Sequence, residues 1–158
     1  MPIQRLSLLL LFCLCHLAAS AGNALPPNLT GTWATGASLY EGATSQGELH
    51  LFSDGFGLMV GSSPPPKRTD GVDDGKPGPR VIMGFPVRVT QEKDVLLARP
   101  FQPGGKEDRE LAKITIYCHH DASAASLTCK TPDGVALPMK RRSETVPDDV
   151  AKTMDTLR

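Results

Sequence analysis

The chain predicts an all-β fold: a single antiparallel barrel or sandwich of about seven to eight short strands, closed by a short C-terminal helix. Three observations predict it. Fifteen glycines and 14 prolines are spread along the 158 residues, cutting the chain into segments too short for long helices. Apolar residues recur mostly at every second position, the period of a strand with one covered face. Helical spacing enters only near the C-terminus, where Val146, Val150, Met154 and Leu157 recur three or four residues apart.

A segment of another kind precedes the strands. Arg5 supplies a positive start, and Leu6 to Leu17 form an apolar run interrupted by Ser7, Cys13, Cys15 and His16. Ala19-Ser20-Ala21 then offers the small residues that a signal peptidase reads. Residues 1–21 are therefore expected to be an export signal cut before Gly22, with a second cut possible after Ala24. The run is too short for a permanent membrane anchor, and no later run is longer. Removing residues 1–21 from 158 leaves 137, a single β-rich domain over 22–158. A domain of that size buries roughly two-thirds of its unfolded surface. Its expected location is extracytoplasmic, either periplasmic or secreted. Lipidation of Cys13 or Cys15 is disfavoured, because Phe12 and Leu14 stand where a small residue is needed.

The elements follow in order. A first strand lies around Trp33. Glu48-Leu49-His50-Leu51-Phe52 alternates, placing Leu49 and Leu51 on the core face and His50 toward water with no visible partner. Ser53-Asp54-Gly55 turns the chain into Phe56 to Val60, a hairpin partner. Residues 62–79 form an irregular loop: Pro64-Pro65-Pro66, then charges and glycines, bury almost nothing. Val81 to Thr90 reads as a strand in which Gly84 and Pro86 require an edge, a bulge or a break. Gln91 to Asp94 turns into Val95 to Ala98. Ala112 to Cys118 is the clearest alternation, with Ile114, Ile116 and Cys118 inward and Lys113, Thr115 and Tyr117 outward. Ser126 to Cys129 returns beside it, with His119 to Ala125 as the connecting loop. Thr131-Pro132-Asp133-Gly134 turns into Val135 to Met139. Pro147, Asp148 and Asp149 then suit the first turn of a helix near 147–157.

The chemistry is sparse. Cys118 and Cys129 are an even pair in an oxidising compartment, on facing ends of one hairpin, and are expected to form a disulfide. Zinc is the rival, since His119, His120 and Asp121 follow Cys118. Neighbours on a strand point to opposite faces, however, and do not converge on one ion. The two histidines are expected as turn residues. Asp70 to Gly75 has acids like a calcium loop, yet Val72 and Val81 stand where further oxygen ligands belong. Ser45 sits among glycines without nucleophile-elbow spacing. Glu107-Asp108 and Asp148-Asp149 fall in loop and helix-start positions. No catalytic, cofactor or metal site is assigned, and the protein is expected not to be an enzyme. With 17 basic and 17 acidic residues, 16 against 17 once Arg5 is removed, it lacks the basic excess of a nucleic-acid binder. Asn28-Leu29-Thr30 is a formal glycosylation sequon.

Gly31-Thr32-Trp33 near the mature start, followed by strands that meander without crossovers, resembles the opening of lipocalin-like (calycin-type) proteins. The resemblance implies an up-and-down barrel with Trp33 closing one end. It also implies a basic side chain from near the last strand across the indole, here one of Lys140, Arg141 and Arg142, with Arg141 expected. A C-terminal helix after that strand also fits. The family's Thr-Asp-Tyr signature is absent, since a glycine follows Thr69-Asp70. The resemblance implies a non-enzymatic carrier of an apolar or amphipathic small molecule, in which Trp33, Leu51 and Ile114 would touch the ligand. The alternative is a secreted interaction module such as an enzyme inhibitor, using residues 62–79 or the tip 119–125 against a protein partner.

Overall fold

Among the described residues eight strands follow one another, and each pairs antiparallel with the next. They are β1 (Gly31–Ala34), β2 (Gln46–Leu51), β3 (Phe56–Ser62), β4 (Ile82–Glu92), β5 (Val95–Pro100), β6 (Ile116–Asp121), β7 (Ser126–Lys130) and β8 (Ala136–Ser143). Among the described residues one α-helix, α1 (Asp148–Leu157), follows them at the C-terminal end. β8 returns to pair with β1, so the sheet closes into a barrel and not a sandwich. This computed structural model describes residues 23–68, 71, 77–104 and 108–158. The expected leader, with Cys13 and Cys15, and most of the Asp70–Gly75 stretch lie outside them.

Period-two alternation sends one face of each strand inward. Leu49 and Leu51 of β2, Val87 and Val89 of β4, Leu96 and Ala98 of β5, Ile116 of β6, Leu127 of β7 and Met139 of β8 make the core. Each such large side chain contributes about 1.5–3 kcal/mol through removal from water. Gly57 is a tight position on the core face of β3. A Cβ there would stand 2.6 Å from the His50 carbonyl oxygen and 3.2 Å from both Leu51 and Val87, so only hydrogen fits.

The hairpins 52–55, 93–94 and 122–125 lie at one end of the barrel, together with residues 23–30 and the start of α1. This end is plugged. Leu25 and Leu29 are buried in the core, and the Leu25 amide donates to the Ser53 carbonyl at 2.9 Å. Gly55 takes φ 81° beneath this plug, where a Cβ would strike the Asn23 carbonyl. α1 packs outside against β3, burying Met154. Asp148 and Asp149 occupy its first turn, where the helix dipole favours acids. Arg158 lies 4.8 Å from the Phe52 ring and 5.0 Å from the Phe56 ring, and pairs with Asp54 at 3.0 Å.

Several expectations change and one narrows: of the edge, bulge or break expected at Gly84 and Pro86, the edge is found, and β4 runs unbroken through both. The Pro86 carbonyl accepts from Phe101 on the β5 side, and β5 ends at Pro100, opposite Val87. The missing amide of Pro86 therefore faces a local edge, the one place a closed barrel tolerates proline. β6 begins only at Ile116, because Leu111–Lys113 form a 3-10 turn. Ile114 is outside the strands and 38% exposed. β8 continues to Ser143, so Lys140, Arg141 and Arg142 lie inside the last strand and not past it. His119 and His120 belong to β6, and the loop is only 122–125.

His50 is the largest departure. It points away from the core, as its phase requires, yet is 3% exposed. Its Nδ1 lies 3.1 Å from the Thr32 hydroxyl, and its Nε2 is 3.4 Å from Glu48 Oε2. Thr32 also bonds the Thr145 carbonyl at 3.1 Å. That carbonyl can only accept, so Thr32 donates to it and receives from His50 Nδ1. The segment leading into α1 is thereby tied onto the outside of β1 and β2.

Candidate ligand cavity at the open end

The described parts of the connections after β1, β3 and β7 (35–45, 63–68 with 77–81, and 131–135) gather at the end opposite the plug. After β5, in contrast, Phe101 meets Phe56 at the start of β3, and the Gly104 amide donates to the Leu157 carbonyl of α1. At the end opposite the plug, the inward strand face opens into a cavity of about 520 Å³. Met59, Phe85, Ile116 and Leu137 form its apolar wall, and Met83 and Val81 continue it to the rim. The volume exists because Gly61 supplies no side chain. A Cβ there would meet only the Gln46 carbonyl, at 3.9 Å, whereas one at Gly47 would meet Met139 at 3.2 Å and Leu137 at 3.4 Å. Two glycines paired across β2 and β3 thus have opposite uses: one admits its neighbours and the other leaves a void.

The rim is mixed. Val81 and Met83 are 60% and 70% exposed, and Ser45, Gln46, Ser62, Ser63, Thr131 and Asp133 stand among them. The Asp133 carboxylate accepts the Thr131 hydroxyl. That hydrogen bond holds its carboxyl below the usual carboxylate range. A second cavity of about 510 Å³ lies beside the first and shares Ser45, Gln46, Val135 and Leu137 with it. It occurs because β1 ends at Ala34, pairing with Lys140 of β8, which leaves Ala136 to Pro138 without a β1 partner. Connection 35–45 covers this gap. Thr35 Oγ1 donates to Gln46 Oε1 at 2.8 Å and receives the Gly47 amide at 2.9 Å. Arg80 donates to the carbonyls of Gly42, Thr44 and Ser63 and to the Ser62 hydroxyl.

The residues singled out in the sequence mostly lie elsewhere. Trp33 is buried at the plugged end, its indole N–H donating to the Leu29 carbonyl at 2.9 Å. The Arg141 guanidinium stands 6.0 Å from the ring centroid and donates to the carbonyls of Pro27 and Thr30 at 2.7 Å each. Leu51, two residues before the Ser53 turn, is part of the packed core, and neither it, Trp33 nor Ile114 lines the cavity. Cys118 and Cys129 are joined by a disulfide inside the barrel. They face each other across β6 and β7, and Cys129 pairs with cavity-lining Leu137. The bond therefore lies at the level of the cavity floor. His119 points out and pairs with Asp94 at 2.7 Å, whereas the His120 ring meets Trp33 edge-on at 5.7 Å. The two histidines thus serve opposite faces of β6. Ser45, considered and set aside as a nucleophile, sits on the cavity rim.

Sequence reasoning missed the cavity wall. Met59, Met83 and Phe85 carry it in place of the aromatic lining a pocket commonly has, since flexible thioethers adapt to irregular ligands. The available signal was inward phase combined with glycine, as at Gly61. Compared with protein-family models, curated proteins and solved structures, the chain gives no match in any of the three.

Proposed function

We propose that the protein is an exported, non-enzymatic carrier that holds an apolar or amphipathic small molecule in the open end of a lipocalin-like barrel. The observation that carries this reading is the cavity of about 520 Å³ walled by Met59, Phe85, Ile116 and Leu137. Its size falls within the range of small-molecule sites, and its apolar wall with a few polar rim groups is their usual make-up. The exposed Val81 and Met83 lead to it from solvent. Meandering strands, a tryptophan and an arginine at the plugged end, and a helix outside the barrel support the lipocalin-like part of the reading. An interior disulfide supports export to an oxidising compartment.

Gly61→Trp tests it. The backbone admits a side chain there without strain, and the indole would fill the void. The wild-type protein is expected to bind the neutral dye N-phenyl-1-naphthylamine saturably. The variant should lose at least about tenfold in affinity with an unchanged circular dichroism spectrum. Absent binding, or equal binding by the variant, would overturn the carrier reading.

A further inference from the structure

Resting on the carrier reading, we propose that the site selects amphiphiles by head-group charge: a cationic or neutral head is accepted and an anionic head is disfavoured. The tail direction follows from the barrel. The plugged end is filled by Leu25, Leu29 and Trp33, so an apolar chain descends between Met59, Phe85 and Ile116 and leaves its head at the rim. There it meets hydroxyls, the Gln46 amide and the Asp133 carboxylate. Hydroxyls and amides serve donors and acceptors alike, so a neutral alcohol head is satisfied. A carboxylate only accepts, so Asp133 attracts an ammonium head and repels another carboxylate. Among the described lining residues Asp133 is the sole charged side chain.

Arg80 is the nearby cation to weigh against it. Its guanidinium is directed at the backbone of the two connections, donating to the Thr44 carbonyl at 2.8 Å, the Ser63 carbonyl at 2.9 Å and the Gly42 carbonyl. It also donates to the hydroxyl of cavity-lining Ser62 at 3.3 Å. It thus staples the rim from behind Ser62 and Ser63, with four rim oxygens occupying its donors, and is not itself a lining residue. The hydrogen bond from Thr131 lowers the Asp133 carboxyl from its ordinary value, and the negative charge is present at neutral pH.

The test uses three probes with one tail: dodecyltrimethylammonium, dodecanol and dodecanoate. Each competes with N-phenyl-1-naphthylamine at low ionic strength, below its micelle concentration. The ammonium is expected to compete about tenfold better than the carboxylate, with the alcohol between them. Because Asp133 is exposed, the gap should shrink as salt is added. In Asp133→Asn the ammonium and carboxylate should compete within about twofold of each other. If dodecanoate matches or exceeds the ammonium, or if the preference survives in Asp133→Asn, the charge selection is overturned while the carrier reading stands. If the dye binds nowhere, or no probe displaces it, the carrier reading falls and this inference falls with it.

Discussion

Ala125 ends the turn between β6 and β7 with φ 45°, a left-handed conformation in which a Cβ crowds the backbone. Glycine holds that conformation without the clash, so Ala125→Gly is expected to raise stability by about 0.5–1 kcal/mol in urea unfolding. An unchanged or lower midpoint would mean the turn is not strained. Asp121 opens the same turn. Its carboxylate accepts from the Ser123 hydroxyl at 2.7 Å and from the Ser123 and Ala124 amides at 2.9 and 3.1 Å. The Ser123 hydroxyl is the main cause, and the Ala124 amide the next, of a pKa lowered from 3.8. A carboxyl lowered on folding stabilises above its unfolded value and loses that contribution as pH falls through the folded one. Protection of the Ser123 and Ala124 amides, taken relative to their intrinsic exchange rates, should therefore fall only below the ordinary aspartate range, and a loss of protection near neutrality would contradict it. His50 marks the limit of legibility at this scale. Alternation with Leu49 and Leu51 gives its face correctly, but what covers that face, the segment around Thr145, is far away in sequence.

The hairpins were the most legible elements. Turn residues at 53–55 and 131–134 stand where the chain reverses, and alternation assigns Leu127 and Cys129 to the core side. Strand ends were less legible, because a ladder continues as long as its neighbour does. β8 extends to Ser143 since β1 waits beside it, and Pro86 stays in β4 since β5 has just ended. Pro86 itself signals the local edge, whereas nothing in the residues of β8 marks where that strand stops. The disulfide acts at this scale as well. It locks two adjacent strands at the cavity floor and is wholly buried. Replacing both cysteines by alanine is expected to lower stability by about 2–4 kcal/mol, partly by releasing the unfolded chain. An unshifted denaturation midpoint would show that the strands hold without it. The double variant should also bind N-phenyl-1-naphthylamine less tightly, because a looser β6–β7 pair displaces Ile116.

For the whole molecule, composition and periodicity made the all-β class readable, but not closure, since barrel and sandwich share one strand pattern. The cavity was hidden for a related reason. It arises from what Gly61 leaves out, and the second cavity beside it from where β1 stops short of Ala136, both properties of the closed ring. The plugged end was more accessible, because one tryptophan and a run of basic residues are conspicuous in a chain with few aromatic side chains. The covered strand edges also limit self-association, since a closed ladder presents few unpaired amides to another chain.

The junction of β1 with β8 has a further, kinetic consequence. Seven of the eight strand pairings join neighbours in the chain, whereas this one brings together residues as distant as Thr30 and Arg141, 111 positions apart. Hairpins can form early at small entropic cost, while the long loop must be closed before its contacts are gained. Sealing that seam is therefore the expected late step in folding. Trp33, the chain's one tryptophan, lies on it beside Arg141, so its fluorescence in stopped-flow refolding should change in the slowest phase, after most of the strand signal in circular dichroism has returned. Fluorescence that leads the strand signal would instead place the seam in the folding nucleus.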